Sequence, residues 1–307
     1  MLNRSISVVT GKGGTGKTSL TANIAGLAAE YGYHVLVVDT DPQGNLGRDL
    51  GYYGDPDIDD QGAGLLNAIQ HGTPAAPVRG VRTNLDVIPG GTFVDDAVSI
   101  AGNLRARGRN PQLVLEEALR PVAGNYNLIL IDSPPGDRYL QEIALNAVEY
   151  AVVPTRSDEA SIDGLTRVAQ AFGTARAINP SLELLGVVLF GIGASATVIQ
   201  AEVRRKIADG LGDAAPVFDA QIRYLEAPAV ESRNRGMLVH EYERDLVAKA
   251  PSFFDRAKGR HREEKVPRGE RVAPTAHKLA TDYATLTTEI LTLMAAREAA
   301  RTGSAAR

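Results

Sequence analysis

The stretch Ser5-Ile6-Ser7-Val8-Val9-Thr10-Gly11-Lys12-Gly13-Gly14-Thr15-Gly16-Lys17-Thr18-Ser19 decides how this chain folds. Residues Ser5–Thr10 form a short apolar, β-branched run that predicts a strand, and Gly16–Tyr31 behind them predicts a helix. Between the two stands G-x-x-x-x-G-K-[ST], the pattern of a loop that wraps phosphate. Glycine lets the backbone turn with its N–H groups pointing inward, and the helix N-terminus adds partial positive charge. In such a loop Lys17 reaches the β- and γ-phosphate oxygens, and the Thr18 hydroxyl is placed to ligate Mg²⁺. A glycine-rich turn without a ligand is the plain alternative, and the strand before and helix after it argue against that.

Working outward, Val35–Asp39, Leu85–Ile88, Leu128–Asp132, Tyr150–Pro154 and Leu184–Phe190 also read as strands. They are continuously apolar rather than alternating, as strands covered on both faces must be. Pro111–Val122, Arg138–Val148, Ile162–Ile178 and Ile199–Leu211 read as helices between them. Alternation of this kind predicts an α/β fold, a doubly wound, mostly parallel sheet with helices on both faces, of P-loop NTPase type. A single domain over residues 1–307 is expected, with a charged insertion at Asp245–Thr275 and a last helix at Ala276–Arg301. The insertion carries Pro251, Pro267 and Pro274 and shows weak periodicity. In the helix, Leu279, Tyr283, Leu286, Ile290, Leu293 and Met294 share one face.

Composition removes several classes of chemistry. The chain has no cysteine, which excludes thiolate nucleophiles and cysteine-held clusters. Its five histidines show no metal-ligand spacing. No apolar run approaches the roughly 20 residues of a membrane-spanning helix, and the first residues carry no secretory signal pattern, so a cytoplasmic protein is expected. With a formal net charge of −4, any nucleic-acid contact has to come from a local patch.

Two carboxylate segments follow strands. Asp39-Thr40-Asp41-Pro42-Gln43 closes the second, and Asp132-Ser133-Pro134-Pro135-Gly136 closes the apolar run Leu128–Ile131. Carboxylates beside a polyphosphate repel it unless a metal bridges them, so the pair argues for Mg²⁺. A solvated Asp-Pro turn and a helix cap are the alternatives.

The loop K-G-G-T-G-K-T, with D-x-D-P-Q and the strand ending in Asp132, resembles the deviant Walker A ATPases and among them the ParA family of partition ATPases. The resemblance covers residue 4 to about 240 and resumes at the last helix. It implies ATP and Mg²⁺ as cofactors and a nucleotide site on Gly11, Lys12, Gly13, Gly14, Thr15, Gly16, Lys17, Thr18 and Ser19, with Pro228 near the adenine. In that family a lysine at the position of Lys12 crosses a homodimer to the partner's phosphates. By position Asp41 matches the residue that orients the attacking water, while Thr18, Asp39 and Asp132 match the metal shell. Lys12, Lys17 and Asp41 are thus the implied catalytic residues. The resemblance also implies a ParB-like stimulating partner, nonspecific DNA binding in the ATP state and a nucleoid-associated protein. Arg223 matches a DNA-surface arginine, or else pairs with Glu226.

The sequence departs from the family after Phe190. Gly191–Thr197 lacks a further arginine there, so Arg204, Arg205 and Lys206 are read either as a substitute surface or as a solvated helix face. The C-terminal residues lack a bulky apolar face, so no membrane contact of the MinD kind is expected. The same mechanism would serve another cargo, such as a protein organelle or a conjugation complex.

Overall fold

The structure is a computed structural model describing residues 2–193, 201, 204, 205, 207, 216–249 and 268–305. Eight strands form one sheet: β1 (Ser5–Val8), β2 (Val35–Asp39), β3 (Val78–Arg82), β4 (Leu85–Ile88), β5 (Leu128–Asp132), β6 (Tyr150–Thr155), β7 (Glu183–Ile192) and β8 (Val217–Arg223). Their order is β3-β4-β2-β5-β1-β6-β7-β8, and every pairing is parallel except β3 with β4. The predicted doubly wound, mostly parallel sheet is therefore the observed one.

Helices α1 (Lys17–Glu30), α2 (Leu46–Asp49), α3 (Ala63–His71), α4 (Asp96–Ala106), α5 (Val114–Ala123), α6 (Arg138–Ala147), α7 (Glu159–Arg176), α8 (Glu226–Asn234), α9 (Val239–Lys249) and α10 (Arg268–Ala305) cover the sheet. Two apolar clusters, one on each face, explain the unbroken apolar strands. Leu36 and Val38 of β2 belong to one cluster, and Val35 and Val37 to the other. Each fully buried Leu, Ile or Val contributes about 1.5–3 kcal/mol relative to exposure. Helix α1 is buried on almost every side because the sheet lies beneath it and α10 above. Leu279, Tyr283, Leu286, Ile290 and Met294 join Leu20, Ile24 and Ala28 in that layer, while Leu293 is only partly buried.

Several boundaries move for identifiable reasons. Helix α7 starts at Glu159 rather than Ile162, because the Asp158 side chain accepts the Ser161 N–H at 3.0 Å and caps the helix. Helix α5 starts at Val114 rather than Pro111, since Asn110 holds a turn by accepting from Gln112 and Leu113. The last helix begins at Arg268, and α9 runs to Lys249, so the charged insertion contracts to residues 250–267, outside the described residues. Most of the expected helix Ile199–Leu211 lies outside them too. Strands β3 and β8 were not anticipated. Both are edges, and β8 is covered by α10, whose Glu289 carboxylate accepts the Asp219 and Ala220 N–H groups at 2.9 Å each.

Candidate functional site

At the carboxyl ends of β1, β2 and β5 a cavity of about 210 Å³ is lined by Gly13–Ser19, Asp41, Asn45, Pro135 and Arg233. This is where open α/β sheets bind ligands. Gly16 has φ 80°, and a Cβ there would lie 2.0 Å from the Phe190 ring, so only glycine opens α1 at this point. Hydroxyls stiffen the loop: Thr15 donates to Thr10 at 3.0 Å, and Thr10 donates to the Lys12 carbonyl at 2.9 Å. Gly11 does not line the cavity but packs against the Gly164 backbone.

Lys17 is 5% exposed in its side chain, with Nζ 2.7 Å from Asp132 Oδ1 and 3.8 Å from Asp41 Oδ2. One buried ammonium thus faces a cluster of three buried carboxylates, Asp39, Asp41 and Asp132. Burial, then the neighbouring Asp132, push Asp39 well above the usual carboxylate range. Burial also raises Asp132, against the pull of Lys17.

The three acids do different work. Asp39 has both oxygens engaged, accepting the Asp41 N–H at 2.9 Å and the Leu46 N–H at 3.2 Å. It holds the turn that presents Asp41, and it does not line the cavity. Asp41 accepts the Gln43 N–H on Oδ1 and turns Oδ2 towards Lys17. Asp132 gives Oδ1 to Lys17, while its Oδ2 is buried without a partner. An orphaned carboxylate oxygen beside excess negative charge fits a cation or a water bound to one. Thr18, which lines the cavity in the first turn of α1, fits the same role. Among the described residues no three His, Cys, Asp or Glu side chains converge as a metal cage.

Lys12 behaves differently. Its Nζ lies 2.9 Å from Asp158 Oδ1, at the N-terminus of α7 of its own chain, and its side chain is 44% exposed. The Lys12 ammonium holds the Asp158 carboxyl below its ordinary value.

Residues 3–184 match the model of a family described as an AAA domain. The chain is 35% identical to a ParA family protein of Chlamydia pneumoniae over 61% of its own length and 71% of that protein's. This chain belongs to the ParA family of partition ATPases. It is also 30% identical to the chromosome-partitioning ATPase Soj of Thermus thermophilus, over 74% of this chain and 85% of Soj. In fold it resembles Pyrococcus horikoshii MinD, solved with Mg-ADP, at 24% identity and a TM-score of 0.62, covering 94% of this chain and 95% of that one.

For this ParA relative the remaining expected residues separate. Pro228 is buried in the first turn of α8 and does not line the phosphate-loop cavity, whereas Arg233, further along the same helix, does. Ser19 lines it but donates its hydroxyl to Asp49 at 3.1 Å. Arg223 pairs not with Glu226 but with Asp282 of α10, in a forked bond with Nη2 2.6 Å from Oδ1 and Nε 2.9 Å from Oδ2, and its side chain stays 33% exposed. Arg204 donates to the Phe218 carbonyl at 2.8 Å. Arg205 is exposed, and Lys206 lies outside the described residues. Arg233, Asn45, Asp49 and Asp158 were missed. Only Asp158, followed three residues later by Ser161, carried a local sign, that of a helix cap.

Proposed function

We propose that this chain is a dimerising ATP switch for plasmid or chromosome partition, which hydrolyses ATP slowly with Mg²⁺ and is released from nucleoid DNA when a ParB-like partner stimulates hydrolysis. The partitioning roles of its relatives support the cargo class. The observation that carries the switch is the division of labour between the two lysines. Lys17 sits inside its own phosphate cavity, while Lys12 extends away from it onto Asp158, leaving it free to serve a second copy once Asp158 lets go. Lysines acting in cis and in trans stabilise a triphosphate more than a diphosphate, so dimer stability follows the γ-phosphate.

Lys17 would hold the β- and γ-phosphates, and the loop N–H groups would orient them. Thr18 and Asp132 would hold magnesium, which when bound offsets phosphate charge and positions the γ-phosphoryl group. Asp39 keeps the Asp41 turn in place, and Asp41 orients the attacking water for in-line displacement. DNA contact falls to Arg205 among the described candidates, because Arg204 and Arg223 are committed within the chain.

Light scattering with saturating ATP and magnesium tests the switch. Asp41→Ala is expected to dimerise and retain ATP, and Lys12→Ala to bind ATP as a folded monomer. An Asp41→Ala protein that stays monomeric under these conditions breaks the switch, and one that hydrolyses normally removes Asp41 from its role. Binding of the ATP-loaded protein to random duplex must depend on ATP and fall steeply with salt; a flat salt response removes the DNA step.

A further inference from the structure

Beside the nucleotide cavity lies a larger cleft of about 500 Å³, between the chain that follows α2 and the turn joining α8 to α9. Its volume is that of a small-ligand site. The floor is bare backbone. A Cβ on Gly51 would lie 2.6 Å from the Gly236 carbonyl oxygen, and one on Gly236 would lie 2.4 Å from Gly51 Cα. Both residues have positive φ, 74° and 60°, so a side chain is disfavoured on each count. Arg82 locks this junction, donating to the Leu50 carbonyl at 2.8 Å and the Gly236 carbonyl at 3.1 Å while it pairs with Glu241. The cleft is therefore built into the fold where two segments meet.

Three arginines line it: Arg48, Arg233 and Arg235. Arg48 makes no ion pair with a described residue; its guanidinium lies 3.7 Å from the centre of the Tyr53 ring, which leaves its N–H groups available in their own plane. Arg235 is held by Asp245 at 3.3 Å and lies 5.1 Å from the centre of the Tyr242 ring. Arg233 is shared between Asp49 at 3.4 Å and Asn45 at 3.0 Å. Three guanidinium groups thus stand against two carboxylates, and planar arginine forks match phosphate oxygens.

We propose that this cleft binds a phosphate-bearing anion separate from the nucleotide, gripped by Arg48 and Arg235, with Arg233 as the wall shared between the two sites. Arg233 lines both cavities. An anion in the cleft draws that guanidinium away from Asn45 and the phosphate loop, and two anions on either side of it repel. Both effects have one sign: occupancy of the cleft weakens nucleotide binding, and nucleotide weakens the anion reciprocally.

Inorganic pyrophosphate is the probe. It is titrated calorimetrically into the whole chain saturated with magnesium and a non-hydrolysable ATP analogue, which fills the loop, and into Lys17→Ala, whose loop is crippled. One site is expected in both, weakened at least about tenfold by the double change Arg48→Ala and Arg235→Ala. Nucleotide affinity of that double variant, measured without pyrophosphate, stays within about twofold of wild type. Saturating pyrophosphate should weaken nucleotide binding about fivefold in wild type and by less in Arg233→Ala, where the competition for one guanidinium is gone and only the repulsion between the two anions is left. Pyrophosphate that binds only an intact empty loop, or binds the double variant as tightly as wild type, overturns the proposal. A short random duplex separates two sources of phosphate. If it displaces pyrophosphate, the occupant is a nucleic-acid backbone; if it does not, the occupant is a phosphorylated small molecule, and either result needs the site. Pyrophosphate binding to Lys17→Ala while the wild-type chain takes no ATP analogue breaks the dimer-switch reading and leaves the cleft standing.

Discussion

Lys17 and Lys12 stand at opposite ends of one loop, five positions apart, and the fold treats them in contrary ways. The side chain of Lys17 is 5% exposed among carboxylates, and that of Lys12 is 44% exposed against a single solvated aspartate. The difference teaches that the same residue type in the same motif is structural at one end and disposable for folding at the other. Burial decides this, because a charge withdrawn from water needs a partner and one left in water does not.

The largest effect that would break or sharpen this contrast is Lys17→Ala. Removing the ammonium leaves buried carboxylates uncompensated, and the loss of unfolding free energy at pH 7 is expected to be about 3–5 kcal/mol. The loss shrinks towards pH 5 as Asp39 and Asp132, whose carboxyls burial pushes up, take up protons. Urea unfolding at both pH values measures it, and a loss no greater than that of Lys12→Ala would end the contrast.

Asp49 sharpens the role of burial. Desolvation pushes its pKa up to about 6, despite Arg233 and Ser19. The folded chain thus binds this proton more tightly than the unfolded one. The resulting stability is fullest below about pH 4 and is lost as pH rises through 6, roughly 3 kcal/mol in all. Asp49→Asn should therefore flatten the wild-type decline in stability between pH 4 and 6, and leave the protein no less stable than wild type at pH 8. Urea midpoints across that range check it; an unchanged slope would show that Asp49 ionises freely.

The smallest effect belongs to Lys12→Ala. An exposed ion pair contributes under about 1 kcal/mol, so its thermal midpoint should stay close to that of wild type while ATP-dependent dimerisation disappears. A large drop in stability would make Lys12 a structural residue and remove the switch.

Much of the fold was legible in the sequence. Val35–Asp39, Leu85–Ile88 and Leu128–Asp132 read as strands at the bounds they occupy, because strands covered on both faces are mainly apolar; in Leu85–Ile88 the one polar residue, Asp86, accepts from the Gly80 N–H and the Tyr126 hydroxyl. Edge strands escape that rule. In β8 buried and exposed positions alternate, and in β3 most residues reach the surface, so neither makes an apolar run. In the site, Lys17, Thr18, Asp41 and Asp132 were legible because each occupies a fixed offset from a strand end, where backbone geometry alone delivers it. Arg233, Asn45 and Asp49 were not, since their meeting depends on how α8 docks beside α2. The partner of Arg223 escaped for the same reason: Asp282 comes from α10, far along the chain.

By itself the sequence determined the parallel sheet, the phosphate loop and the order of carboxylates behind it, since these follow from local periodicity and from what a loop of glycines can do. Tertiary structure alone decided which charges are spent inside the molecule and which remain for others. It turned Lys12 onto Asp158, tied Arg223 to Asp282, engaged both oxygens of Asp39 and gathered Arg48, Arg233 and Arg235 around one cleft. The physical reason is range. Strand and helix periodicity act over neighbouring residues, whereas an ion pair is set by distances and burial that exist only once distant segments have packed together.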